Sequence, residues 1–215
     1  MKKSTKFRQY TFKEEVINSL SHGVMALLCL GGIAPVAIHA YLKSGELAAF
    51  GVTVFVVSVL LMFLSSALYH SSAFDSKHRK IMQILDHIFI FVAIAGTYTP
   101  ICLSVIGGWL GITVLIIQWV MVVFGVLKNS LAKERVPKAS LTIYLVMGWS
   151  FIIIAPLFIK NSELPMQLLI LAGGIFYSAG TYFYAKKEKA FFHTIWHFFV
   201  ILGVVSHFLA IFLFI

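Results

Sequence analysis

Long apolar stretches alternate with short polar connections along nearly the whole chain. A helix needs roughly 20 mostly apolar residues to cross a bilayer, and each stretch is long enough. A strand of a membrane barrel would be about half as long and would alternate polar with apolar residues. The pattern therefore predicts an all-α bundle of seven transmembrane helices, with spans at Ser19–Ala40, Leu47–Tyr69, Ile84–Leu103, Trp109–Leu127, Leu141–Ile159, Met166–Tyr184 and His193–Ile215.

These spans leave no room for a soluble domain. Of the 215 residues, 60% are hydrophobic, well above the share in an ordinary soluble domain. We expect residues 19–215 to form one transmembrane domain and residues 1–18 a basic cytoplasmic tail. Within that tail, the mixed basic, aromatic and acidic stretch from about Lys6 to Ile17 could form a short helix on the membrane surface. Candidate kinks within or near the ends of spans are Pro35, Pro100 and Pro156.

Basic residues are strongly biased to one side of the predicted bundle. Of the 17 lysines and arginines, only Lys43 and Lys160 fall in the odd-numbered connections; the tail and the even-numbered connections carry the rest. Short basic loops stay cytoplasmic, so the N-terminus is predicted inside and the C-terminus outside. The basic residues behind the formal charge of +9 thus determine the orientation of the chain in the membrane. We therefore expect no nucleic-acid partner.

Most ionisable residues within or at the ends of the spans share one depth, near the cytoplasmic ends, and only His39 and His207 lie deeper or farther out. Polar groups exposed to lipid cost several kcal/mol each, so these side chains should face the bundle interior and meet there. Their common depth predicts a single site, formed by His22, His70, Asp86, His87, His193 and His197.

The spacing within this group is typical of metal ligands. His193 and His197 lie one helical turn apart on one face, and Ser66 and His70 repeat the spacing on the second span. Three neutral imidazoles with an open position describe a catalytic zinc site, and a carboxylate such as Asp86 could orient the water.

Simpler interpretations remain open for several of these residues. Ser66 could serve helix packing, which commonly uses small residues. His22 and His87 could face interfacial water, and His207, deeper in the last span, could make a hydrogen bond between helices. From depth and spacing alone, a metal and a purely structural cluster are about equally supported.

Four short motifs carry a resemblance to a known family. They occur in order at Glu15-x-x-Asn18, Ser66-Ala-Leu-Tyr-His70, Leu85-Asp86-His87 with Ala95-Gly-Thr-Tyr-Thr-Pro100, and His193-Thr-Ile-Trp-His197-Phe. Together they resemble the hemolysin III family, the bacterial branch of the progestin and adipoQ receptor family. One departure is Ser21-His22, where relatives commonly have Thr-His.

The resemblance implies a seven-helix bundle in the bacterial plasma membrane with its N-terminus inside. It also implies a zinc ion held by His70, His193 and His197, with Asp86 and Ser66 beside the bound water. Eukaryotic relatives resemble lipid amidases that act on ceramide-type substrates, whereas the bacterial name implies haemolysis.

Three classes of function follow. The first is a zinc-dependent hydrolase that cleaves an amide or ester of a membrane lipid. The second is a receptor or sensor without turnover, in which zinc is structural and the lipid is a ligand. The third is a cytolytic pore or a transporter, because His and Asp in membrane helices also form proton relays. Haem held between histidines is a further option.

Overall fold

The structure, a computed structural model, describes residues 9–131 and 137–215, and its described part contains helices and no strand. Six of the helices are each long and apolar enough to cross a membrane. A seventh crossing is formed if α5 and α6, which meet at an angle of 55°, count as one broken span. The prediction of an all-α polytopic bundle is confirmed. The helices are α1 (Phe12–Ser44), α2 (Glu46–Ser71), α3 (Lys77–Pro100), α4 (Gly108–Leu131), α5 (Pro137–Trp149), α6 (Ala155–Asn161), α7 (Leu164–Ala185) and α8 (Phe192–Phe214).

The first helix begins well before the predicted first span. Thr11 caps it, because the Thr11 hydroxyl accepts the backbone N–H of Glu14 while the Glu14 carboxylate accepts the N–H of Thr11. Residues 12–17 are therefore the first turns of a helix that continues into the membrane. Residues 1–8 of the tail, and the basic residues at 133 and 135 that support the orientation, lie outside the described part.

The predicted fifth span is long enough for one transmembrane helix, but it is broken into two helices. After α5 the chain forms a 3₁₀ turn at Ser150–Ile153 before α6 begins. The Tyr98 phenol lies 2.9 Å from the carbonyl oxygens of both Met147 and Gly148, and the Gln118 amide donates to Ser150 Oγ at 2.8 Å. Carbonyls released by the break thus find donors inside the bundle, as the bilayer interior requires.

The three candidate kinks have different outcomes. Pro156 occupies the first turn of α6, a favourable place for proline, so the break precedes it. Pro100 ends α3 and is followed by a π-helical turn at Ile101–Ile106. Pro35 lies inside α1, which continues past it.

Helices α7 and α8 pack closely through small residues. A side chain at Gly173 of α7 would lie 2.2 Å from the ring of His207 on α8, so only glycine fits there. The His207 Nε2 atom is 3.1 Å from the Ile170 carbonyl oxygen. The predicted helix-packing hydrogen bond of His207 is thereby confirmed, and the register of α8 beside α7 is fixed.

Candidate metal centre

Three buried imidazoles converge between α2 and α8. His193 Nε2 lies 3.2 Å from His70 Nε2 and 3.2 Å from His197 Nε2. One ring nitrogen of each residue lies within 4.8 Å of the others. His193 Nε2 carries at most one proton yet faces two other ring nitrogens, so hydrogen bonding alone cannot satisfy all three. A metal ion bound at the point where the three nitrogens meet would satisfy all three. We call His70, His193 and His197 the histidine triad.

Two helices place the triad. His193 and His197 are in the first two turns of α8, one turn apart, and so project from one face. His70 is in the last turn of α2. The opposite helix directions bring the end of α2 beside the start of α8, which confirms that the three histidines meet.

Glu15 orients the third histidine. Its Oε2 atom lies 2.6 Å from His70 Nδ1, and its other oxygen accepts from the Arg79 guanidinium. Arg79 also donates to the carbonyls of Tyr69 and Ser72, at 3.2 and 2.8 Å. With Nδ1–H of His70 donated to a carboxylate, its Nε2 lone pair is left for the triad, as in metal sites where a carboxylate holds the ligand histidine.

Glu14 joins the beginnings of α1 and α8. Its Oε1 atom accepts the backbone N–H of Phe191 at 2.7 Å, while its Oε2 completes the cap at Thr11. Phe191 has a left-handed backbone, with φ of 60°, just before α8 begins. Two adjacent carboxylates of α1 therefore fix the two helices that carry the triad, Glu14 holding α8 and Glu15 holding α2.

Asn18 and His22 continue the same face of α1. The His22 ring stacks on His197, with centroids 3.8 Å apart and planes at 16°. Because His22 is buried, its interpretation as a residue facing interfacial water is wrong. Asn18 is fully buried, and among the described residues neither side-chain atom of its amide has a hydrogen-bond partner. Such a group calls for a polar ligand or water that the protein chain does not supply.

Tyr10 covers the triad from the N-terminal side. Its ring stacks on His193 with centroids 4.8 Å apart, and its ring centroid is 5.8 Å from that of His70. Burial raises the pKa of the Tyr10 phenol, and the nearby phenols and the carboxylates of Glu15 and Asp86 raise it further. The phenol is therefore a neutral hydrogen-bond donor at this site.

Sequence reasoning did not find Tyr10 or Arg79. Arg79 was counted among the basic residues that set topology, and its burial was the missing information. Tyr10 precedes the first helix in a tail interpreted as interfacial. The one signal for Tyr10 in the sequence was its position five residues before Glu15, the first residue of a family motif.

Ser66 and Asp86 lie on the wall of one large cavity that also reaches His193 and His197. Ser66 is buried, and the Asp86 side chain is 15% exposed. Neither belongs to the group of possible ligand atoms, in which the triad stands alone in the described part of the chain. Both predicted catalytic side chains thus face the same space as the triad.

His87 links the cavity wall to α7. Its Nδ1 lies 2.7 Å from the Gln83 carbonyl oxygen and 3.7 Å from Asp86 Oδ2. A proton on Nδ1 is donated to that carbonyl, which leaves Nε2 to accept from the Tyr184 hydroxyl at 3.3 Å. His87 is therefore a neighbour of Asp86 and not a fourth member of the triad.

The cavity is long and mostly apolar. It has a volume of about 1180 Å³ and extends from Lys187, just after α7, to Ile159 and Leu164 at the opposite end of the bundle. Its size and lining are those of a site for a large apolar ligand.

Comparison with known proteins places the chain among relatives of similar length. It is 40% identical to "Hemolysin-3 homolog" of Bacillus subtilis (strain 168), with 94% of each chain covered. It is 38% identical to "Hemolysin-3" of Bacillus cereus, with 97% of this chain and 94% of the relative covered.

A weaker similarity reaches animal proteins. The chain is 25% identical to "Monocyte to macrophage differentiation factor" of Homo sapiens, over 70% of this chain and 64% of the relative. No solved structure matches the chain significantly. The sequence model of the family described as "Haemolysin-III related" matches residues 10–208, a range that includes every member of the triad. The chain is therefore a multi-pass membrane protein of the haemolysin III family.

Proposed function

We propose that this protein is a zinc-dependent hydrolase that cleaves an amide or ester bond of a membrane lipid. The observation that carries the proposal is the buried triad, with His193 Nε2 at 3.2 Å from both other ring nitrogens. An apolar cavity opens beside it with Asp86 on its wall. We further propose that the protein lies in the bacterial plasma membrane with its N-terminus and the triad at the cytoplasmic side.

The donor set suits zinc. Imidazole nitrogens bind zinc at about 2.0–2.1 Å, so two ligands of a tetrahedral ion lie roughly 3.3 Å apart, close to the separations of 3.2 Å within the triad. Three protein ligands leave one position open, as in catalytic zinc sites. His70, His193 and His197 would hold the ion, and it would supply Lewis acidity toward a carbonyl oxygen and a water molecule.

Asp86 is the proposed proton carrier. Its carboxylate takes a proton from the attacking water as the water oxygen bonds to the carbonyl carbon. It then returns that proton to the departing nitrogen or oxygen as the carbon–heteroatom bond breaks. Ser66 donates a hydrogen bond to the carbonyl oxygen, where negative charge develops.

The experiment is turnover of a panel of lipid amides and esters by the purified protein, measured together with zinc content. Asp86→Asn should lower turnover by about 10²- to 10⁴-fold, the usual contribution of a general base, while bound zinc stays unchanged. Asp75→Asn is the matched control, because Asp75 lies exposed in the α2–α3 connection with a positive φ that Asn tolerates. Equal activity of wild type and Asp86→Asn would contradict the assignment.

The alternatives are separated by the same preparation. Bound zinc and lipid without turnover of any panel member would favour a receptor or sensor. The name of the Bacillus cereus relative favours cytolysis as a second candidate. Release of an entrapped dye from liposomes by the pure protein, unaffected by Asp86→Asn, would support it.

A further inference from the structure

A second polar feature of the cavity lies away from the triad. Lys128, in the last turn of α4, lines the cavity together with Asp86 and His193. Its ammonium nitrogen is buried and, among the residues that the structure describes, has no hydrogen-bond partner. The mechanism proposed above does not use this group.

A buried ammonium without a partner is unfavourable. Removing the charge from water costs several kcal/mol unless a counter-charge or hydrogen-bond acceptors replace the water. The C-terminal end of α4 favours a cation there by about 0.3–1 kcal/mol, which does not offset that cost. Within the described ranges, 9–131 and 137–215, no anion is bonded to the Lys128 ammonium.

A second ammonium, that of Lys187, also lines this cavity. Lys187 Nζ lies 3.5 Å from the Tyr184 hydroxyl and 4.5 Å from the centre of its ring. The Tyr184 hydroxyl is in turn 3.3 Å from His87, the neighbour of Asp86. Lys187 is thus placed at the end of the cavity where the predicted chemistry occurs.

Among the described residues, no acidic side chain of the cavity wall bonds the Lys128 ammonium. Glu188 lines the cavity but is exposed to solvent, and Asp86 faces the reaction space. Asn129, also on the wall, already donates its amide to the Gly125 carbonyl at 2.8 Å. The polar lining near Lys128 therefore offers positive charge to a ligand that enters.

We propose that Lys128 and Lys187 bind the phosphate headgroup of an anionic phospholipid whose tails occupy the apolar cavity. A phosphate has several strong acceptor oxygens and can contact two separate ammonium groups at once. The apolar wall is continuous with this site, which favours a lipid over free phosphate. The inference rests on the proposed lipid-binding function and specifies the class of lipid.

The experiment measures lipid affinity of the full-length protein in non-ionic detergent by native mass spectrometry. The probes are dioctanoylphosphatidylglycerol, dioctanoylglycerol, which lacks the phosphate, and inorganic phosphate. Wild type should bind the phospholipid at least about tenfold more tightly than the uncharged lipid, and Lys128→Gln should reduce that ratio to about one. Lys128→Arg, which keeps the charge, should retain most of the preference and shows that the position tolerates substitution.

Lys77→Gln is the matched control, because Lys77 is exposed at the start of α3 on the same side of the bundle. Equal weakening by Lys77→Gln and Lys128→Gln would indicate general surface attraction and overturn the proposal. So would equal affinity of wild type for the two lipids. Inorganic phosphate bound as tightly as the phospholipid would assign the site to the free ion and equally overturn the headgroup.

Zinc content is measured in the same samples. Equal affinity of the wild type for the two lipids, with full zinc, would reject the headgroup site and leave the hydrolase proposal intact. Retained lipid preference without zinc would reject the metal centre instead.

Discussion

Two walls of the cavity are built differently. On the side of α1, α2 and α8, buried polar side chains bind one another: Glu15 contacts His70 and Arg79, and Glu14 contacts the start of α8. On the side of α5 and α6, the helix is broken and bent by 55°. The first wall orients ligand atoms through buried hydrogen bonds, as metal sites do with the residues that contact their ligands. The second wall contains a helix break whose carbonyls are satisfied by donors from other helices, and it lines the space proposed for the lipid.

The largest effect is expected from removing a member of the triad. His193→Ala takes away the nitrogen that lies between the other two, so we expect zinc per chain, measured by elemental analysis, to fall by more than about tenfold. His207→Ala is the control, because His207 is a half-buried histidine on the same helix that bonds the Ile170 carbonyl and not the triad. Unchanged zinc in His193→Ala would remove the basis of the metal proposal.

A smaller effect is expected from changing Glu15, which contacts a triad histidine and not the metal position itself. Glu15→Gln removes the charge that holds His70 and leaves Arg79 without its carboxylate, so zinc affinity should fall about 10- to 100-fold. Glu46→Gln is the control, because Glu46 is an exposed carboxylate in the first turn of α2, at the opposite end of that helix from His70. If a chelator competition gives equal losses for both variants, Glu15 has no special role toward His70.

Substitutions in the broken wall should lower the stability of the protein without changing its zinc content. Tyr98→Phe leaves the carbonyls of Met147 and Gly148 with one donor fewer, which should lower the free energy of unfolding by about 1–3 kcal/mol. Tyr41→Phe serves for comparison, since Tyr41 is 53% exposed. Thermal unfolding in detergent compares the midpoints of the two variants, and we expect that of Tyr98→Phe to be lower. Equal midpoints would show that the stability of the break does not depend on Tyr98.

The smallest effect concerns the contact between α5 and α7. Trp149 donates its indole N–H to Ser178 Oγ at 3.0 Å on a partly exposed face. Trp149→Phe should cost about 0.6 kcal/mol, the average for such bonds in membrane proteins, with no change in zinc. Trp109→Phe, at a residue 79% exposed, provides the reference. A loss larger than that of Tyr98→Phe would show that the contact between α5 and α7 stabilises the broken wall more than the hydrogen bonds of Tyr98 do.

The sequence predicted what depends on local spacing and long apolar runs. The spans follow from length and hydropathy, and the pair His193 and His197 follows from helical periodicity. His70 could be predicted at the same depth as this pair because the charge bias gave each span a direction across the membrane. Six of the predicted spans correspond to single long helices.

Features that depend on contacts between distant segments escaped prediction. The break after Trp149 is stabilised by Tyr98 and Gln118 from two other helices, and no residue within α5 indicates it. Arg79 is a loop arginine by sequence, and only the fold directs it to Glu15. Burial of His22 likewise depends on α8 packing against α1.

The arrangement of the triad also has a consequence for biosynthesis. His70 belongs to α2, whereas both of its partners belong to α8, which is translated after six other membrane crossings. During that interval Glu15 and Arg79 can already hold the His70 ring in its final orientation, but the ring has nothing to bind. Completion of the triad therefore depends on the last crossing, and a chain that ended before α8 would hold His70 without the two imidazoles that face it.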